Sequence, residues 1–181
     1  MKSNVFKYDL YRYFADYRVH GIKKIFLAYQ IRYIKWLRLC QKKATLLRRI
    51  FLRYYSKKTH IQIPYQCKIG PGVHLLHFGR IVINHNVNIG CNCTICPGVL
   101  IGQEERGGRK GNPTIGNNVF IGTNATIVGK IMIGNDVLIA PNSFINFDVP
   151  DSSIVIGNPG KIIKKENAAD GYIKNPIKLQ Q

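Results

Sequence analysis

Between residues 83 and 145 isoleucine returns every six positions: Ile83, Ile89, Ile95 and Ile101, then, after an interval of 14, Ile115, Ile121, Ile127, Ile133, Ile139 and Ile145. A helix repeats its buried face every 3.6 residues and a strand every second residue, so the repeated unit is larger than a helical turn or a pleat. Two positions before the isoleucines stand mostly small or β-branched residues: Val87, Cys93, Val99, Val119, Ala125, Ile131, Val137 and Ser143. One position after them come Gly90, Gly102, Gly116, Gly122 or Gly134. Each six therefore reads as a short extended segment with alternate residues inward, followed by a tight turn. Three units make a triangular coil, and stacked coils close a parallel β-solenoid around a continuous aliphatic core.

Over residues 61 to 165 this pattern resembles the hexapeptide-repeat acyltransferases. The resemblance implies a mainly β fold, a left-handed parallel β-helix, acetyl-CoA as co-substrate and a homotrimer whose donor groove lies between subunits. The left hand follows from the resemblance alone, since parallel crossovers in general are right-handed. The expected division is a basic, aromatic-rich helical segment over 1–60, the solenoid over 61–165 with a loop at 103–112, and a loosely held tail over 166–181.

Charge is concentrated ahead of the repeat. Residues 1 to 62 carry 16 Lys and Arg against Asp9 and Asp16, a net +14 of the chain's +18. Helical spacing of apolar residues predicts helices over about 3–19 with Ser3 as cap, from Ile22 to Cys40, and over about 43–57. Such helices cap the open edge of the first coil with their apolar faces. Basic helices rich in Tyr and Trp also suit peripheral contact with an anionic membrane, and the expected location is the cytoplasm, at the inner face of a bacterial plasma membrane. The longest uncharged apolar run in the N-terminal half, Ile25 to Ile31, is far short of the ~20 residues of a membrane span. Five cysteines, an odd number, with no secretory leader pattern ahead of them fit a reducing compartment.

Two irregularities break the period. Between Ile101 and Ile115 eight extra residues form a polar, glycine-rich loop. Earlier, Ile63, Ile69 and Leu75 keep the six, and the phase then slips by two before Ile83, within His77, Phe78 and Gly79. The stretch GVHLLHFGRIVI resembles the segment that carries the catalytic histidine in serine acetyltransferases and related polysaccharide O-acetyltransferases, which places that role on His77. An acceptor hydroxyl needs a base to take its proton as it attacks a thioester, and imidazole serves near neutral pH. Backbone N–H groups at the slip or the loop could hold the oxyanion. His74 precedes the core Leu75 and points outward, His85 resembles it in position, and His20 and His60 lie in the helical segment.

Where serine acetyltransferases have an Asp that orients the base, an acid before the histidine and a second histidine on the loop, this chain has Gln62, Leu76 and Asn112. Loss of a carboxylate for serine's ammonium favours another acceptor. The expected function is therefore acetyl transfer to a sugar hydroxyl of a bacterial surface polysaccharide or its lipid-linked precursor, with His77 held by Gln62, Asn84 or a backbone carbonyl. The alternative is a serine O-acetyltransferase of cysteine biosynthesis. An alternative of another class is a non-catalytic solenoid that binds an acidic partner. On the donor side, GTNATIV and APNSFIN resemble the family's narrow coils, placing Gly122, Thr123 and Ala140 along the pantetheine arm of acetyl-CoA. The stretch IGNPGKIIKK resembles the terminal motif, placing Lys161 and Lys164 against its phosphates.

No metal is expected: CNCTIC lacks paired C-x-x-C units, and no histidine follows His85 to complete the three-histidine zinc site of a carbonic anhydrase solenoid. Nor is nucleic acid expected as a partner, because no RNA- or DNA-binding motif accompanies the basic helices.

Overall fold

The computed structural model describes residues 5–17 and 28–178. Within these residues three helices, α1 (Val5–Phe14), α2 (Tyr29–Lys42) and α3 (Leu46–Thr59), precede fifteen short strands. The expected Ser3 cap and the start of the second helix before residue 28 lie outside the described residues.

The strands wind into five coils. The first is β1 (Ile61–Gln62), β2 (Lys68–Ile69) and β3 (His74–Leu75); the second is β4 (Ile81–Ile83), β5 (Asn88–Ile89) and β6 (Thr94–Ile95). The third is β7 (Leu100–Gly102), β8 (Thr114–Ile115) and β9 (Val119–Ile121), and the fourth is β10 (Thr126–Val128), β11 (Met132–Ile133) and β12 (Val137–Ile139). The fifth has β13 (Phe144–Ile145), a single bridge at Val149 and β14 (Ser153–Ile156), after which β15 (Lys161–Lys164) returns antiparallel.

Like strands stack in parallel into three faces: β1-β4-β7-β10-β13 (face A), β2-β5-β8-β11 (face B) and β3-β6-β9-β12-β14 (face C). The six-residue period sets the register. Ile83 stacks on Ile101, Ile127 and Ile145; Ile69 on Ile89, Ile115 and Ile133; Leu75 on Ile95, Ile121, Ile139 and Val155. All ten repeating isoleucines are buried, and so are the eight residues two positions ahead of them. The glycines of the repeat are required where coils touch: a Cβ on Gly90 would stand 2.5 Å from the Gly116 carbonyl oxygen.

An open first coil exposes unpaired strand edges on all three faces. Side chains from the helices cover each one. The Tyr33 hydroxyl of α2 donates to Ile63 O at 3.0 Å and accepts from Ile63 N at 2.9 Å beside face A. Arg38 donates to Ile69 O and Gly70 O at 2.7 Å beside face B. On face C the Tyr13 hydroxyl of α1 donates to Leu75 O at 2.8 Å and accepts from Leu75 N at 2.9 Å. The helices thus cap the solenoid. Arg48, in turn, donates to Leu39 O and Lys43 O at 3.1 Å, satisfying carbonyls at the C-terminal end of α2.

The tail differs from expectation. Residues 167–178 run back along the corner between faces B and C, where Ala168 N and Ala169 N donate to Asp136, and Asn92 exchanges hydrogen bonds with Ile177 N and O. Arg12 Nε donates to Lys174 O at 2.7 Å, and Tyr172 packs on Phe120 with ring centroids 4.9 Å apart. Ala168, Ala169 and Ile177 are buried. A polar, unrepeated stretch reads as loose in sequence, but here the turn residues of the solenoid supply its partners.

Candidate functional site

The corner from face C to face A carries the residues of interest. In later coils this corner turns through a left-handed residue three positions beyond the stacked isoleucine: Gly98 (φ 80°), Asn124 (φ 59°) and Asn142 (φ 59°). In the first coil the left-handed residue is His77 itself (φ 62°), two positions beyond Leu75. From Leu75 to Ile83 there are eight residues, against six at each later turn of this corner, so the first turn carries a two-residue bulge. That bulge projects His77 and Phe78 into solvent, Phe78 being 61% exposed. Gly79 N donates to Thr59 O at 3.0 Å, tying the turn to the end of α3, and Tyr13 fixes Leu75 just before it. Among the described residues no backbone carbonyl accepts from the N–H of His77 or Phe78, which leaves both donors available to a bound group.

His74 points outward from the solenoid, as expected, but α1 then covers it. It is buried edge-on against Tyr13, ring centroids 4.3 Å apart, and burial with nearby Arg12 lowers its pKa to about 4. His74 is therefore neutral at pH 7. Beneath it lies a buried polar cluster. Asp9 accepts from Arg38 Nε and Nη2 at 2.8 and 3.0 Å and from Gly72 N and Val73 N at 3.0 Å. Burial raises the Asp9 pKa while Arg38 and the two N–H groups hold it down; with four donors converging on it, we assign the carboxylate form. Arg12 donates to Gly72 O and Thr94 Oγ1, and burial lowers its pKa to about 10, which leaves it cationic.

Of the donor residues named by sequence, Gly122, Thr123, Ala140 and Lys161 lie toward the corner that carries His77, whereas Lys164, paired with Ser153 at the start of β14, lies toward the opposite edge of face C. Gly122 and Thr123 follow Ile121 in the third coil, Ala140 follows Ile139 in the fourth, and β14 leads through the fifth into β15 with Lys161 and Lys164. A Cβ on Gly122 would stand 2.7 Å from Pro141 N, so this corner admits no side chain there. Lys161 is exposed, and Lys164 Nζ donates to Asp151 O at 2.8 Å. Four strand spacings separate β3 from β14 along face C, which at ~4.8 Å each is roughly 19 Å.

The acceptor residues are not all brought together. Gln62 is exposed on β1 beside Val82 and lines a groove of about 510 Å³ between α3 and face A, on the same coil edge as His77. Asn84 lies past the far end of β4, its Oδ1 accepting from Asn86 N at 3.1 Å, so it does not hold His77. Asn112 sits on the loop that leaves face A after β7, at the opposite edge of that face from the His77 turn. Its Nδ2 donates to Gln103 Oε1 at 3.3 Å, and its Oδ1 is buried without a partner among the described residues.

Sequence reading missed Glu104. It pairs with Gly111 across the base of this loop, and its carboxylate lies 3.5 Å from Arg109 Nε, against Gly129. A signal was present: Glu104 and Glu105 are the only acidic residues between Asp16 and Asp136. The cysteines are free, and burial raises Cys67 to about 11 and Cys93 to about 12, so neither is a ready thiolate. No group of three His, Cys, Asp or Glu comes together among the described residues.

Residues 112–146 match the bacterial transferase hexapeptide (six repeats) family. The chain is 34% identical over 133 residues to serine acetyltransferase of Mycobacterium tuberculosis, covering 74% of this chain and 58% of that protein. To serine acetyltransferase of Helicobacter pylori it is 36% identical over 108 residues, covering 60% and 63%. It thus spans less than two thirds of these relatives. Among solved structures, serine acetyltransferase of Neisseria gonorrhoeae superposes with a TM-score of 0.74 at 26% identity, covering 92% of this chain and 67% of that one. The same enzyme in complex with serine gives 0.69 at 28%, covering 88% and 67%.

These likenesses overturn the expected sugar acceptor. The relatives and structural neighbours are serine acetyltransferases, and identity over more than a hundred residues outweighs three departures at Gln62, Leu76 and Asn112. Gln62 and Asn112 each carry an amide oxygen that accepts an N–H without carrying charge, whereas Leu76 offers no acceptor. By its repeat, its five-coil solenoid and these relatives, the chain belongs to the hexapeptide-repeat acyltransferases.

Proposed function

We propose that this protein transfers the acetyl group of acetyl-CoA to the hydroxyl of serine, in a homotrimer with His77 as general base. The observation that carries the reading is the bulged turn. It carries a solvent-facing imidazole on the same corner as the narrow coils and Lys161, in a chain similar to serine acetyltransferases. His77 takes the proton of the serine hydroxyl as its oxygen bonds to the thioester carbonyl carbon. The His77 and Phe78 N–H groups donate to the oxyanion that forms. As the carbon–sulfur bond breaks, the imidazolium returns the proton to the departing CoA thiolate. Lys161 meets the CoA phosphates, and Gly122, Thr123 and Ala140 leave room for the pantetheine arm.

Serine's ammonium needs acceptors, and the loop supplies them in the unpartnered Asn112 Oδ1 and the Glu104 carboxylate. Because the loop and His77 stand at opposite edges of face A, a neighbouring copy brings its loop to this turn, which is why the site needs the trimer.

Release of free CoA thiol from acetyl-CoA, with and without serine, tests the reading. Serine accelerates release, and His77→Ala lowers kcat by ~10²-fold or more with CoA binding retained. Release indifferent to serine would refute the acceptor, unchanged turnover in the variant would refute His77, and a fully active monomer in light scattering would refute the shared site.

A further inference from the structure

The helices do more than close the first coil, because α3 uses little of its surface to do so. Only Leu52 and Thr59 of its 14 residues are buried. At 100° per residue, Leu46, Leu47, Ile50, Phe51 and Tyr54 share the side opposite those two. Their exposures, 74%, 63%, 54%, 37% and 49%, make this a continuous apolar stripe in water. Lys57 and Lys58 end the stripe and Arg49 and Arg53 flank it, all four exposed. Phe51 is stacked on Trp36 of α2 with centroids 4.3 Å apart, which holds the stripe's edge rigidly against the second helix.

A monomeric surface seldom leaves such a patch uncovered. The charge around it selects the occupant. From residue 29 to residue 59 there are ten Lys and Arg and no Asp or Glu. Two copies joined through this face would set four cations of each against four of the other with no intervening carboxylate in α2 or α3, whereas a planar anionic surface offers acyl chains to the stripe and phosphates to its flanks. An amphipathic helix with aliphatic residues and Tyr on one side and long basic side chains beside them is the form that lies in a bilayer interface. We infer that the outer face of α3 docks this protein on an anionic lipid bilayer, with the first coil and its His77 turn nearest the membrane. This holds whatever the acyl acceptor is.

The test is co-sedimentation of the full chain with phosphatidylcholine vesicles, alone or with about one third phosphatidylglycerol, at low and high salt. The expected result is pelleting with the anionic vesicles that fades as salt rises. Lys57→Gln with Lys58→Gln should weaken partitioning roughly 30-fold, at about fivefold per cation. Leu47→Asp with Ile50→Asp should abolish it while leaving the thermal melt unchanged, since both side chains already face water. Equal pelleting with neutral vesicles, no pelleting, or pelleting unaffected by either pair would overturn the inference. So would a wild type that never pellets but loses mass in light scattering when Leu47 and Ile50 are replaced, a result that would give the face to a second copy.

Discussion

Replacing Asp9 by Ala is the sharpest test of how the helices hold the first coil. The carboxylate is fully buried and accepts four hydrogen bonds, two from Arg38 and one each from the Gly72 and Val73 N–H groups. Arg38, 5% exposed, would keep Gln41 Oε1, Ile69 O and Gly70 O as acceptors but lose the one carboxylate it pairs with among the described residues. Removing one member of a buried ion pair costs about 3–5 kcal/mol, because the remaining charge stays desolvated. For a chain of this length each kcal/mol moves Tm by roughly 2–4 °C, so the melt should fall by roughly 6–20 °C. Circular dichroism melts measure this, and amide exchange should show α1 and the Gly72 turn opening together. A fall below ~3 °C, with α1 still protected, would mean that this cluster does not hold the helix to the solenoid.

Tyr13→Phe leaves Leu75 N and O at the strand edge without a partner, which should cost ~1–3 kcal/mol; it should also lower kcat, because His77 follows two residues later, and unchanged kinetics would refute the link. His74 carries a proton in the unfolded chain below its ordinary pKa of about 6.5 but not in the fold until about 4. Stability should therefore decline as pH falls through that window, by up to about 3 kcal/mol. Urea unfolding of wild type against His74→Phe isolates this contribution, and parallel pH profiles would exclude it. In steady-state kinetics, Lys161→Ala should raise KM for acetyl-CoA alone, and Glu104→Gln should raise KM for serine alone. Crossed or absent effects would mean that these residues are assigned to the wrong substrates.

The solenoid was legible in the sequence because its core is periodic and its contacts are between nearest coils. Ile83 lies 18 residues from Ile101, which stacks on it, and the same interval recurs up the column except where the loop is inserted. A repeat of six on three faces therefore determines strands, register and inward side chains together. The slip before Ile83 likewise marked the bulged turn of His77, since two extra residues cannot be absorbed by a stacked strand and must leave the corner. What the sequence left open were single, unrepeated polar contacts between distant segments. Arg12 meets Lys174 across 162 positions and Asp9 meets Gly72 across 63. Neither leaves a period to read, and an Asp and two Arg on helices rich in Lys and Arg look like solvated charge until the fold buries them. The same holds for the tail, whose partners are turn residues of the solenoid, and for the loop, which stands on the opposite edge of face A from His77. Local repetition specifies the solenoid, but only the tertiary structure decides which polar groups lose water and therefore need one particular partner.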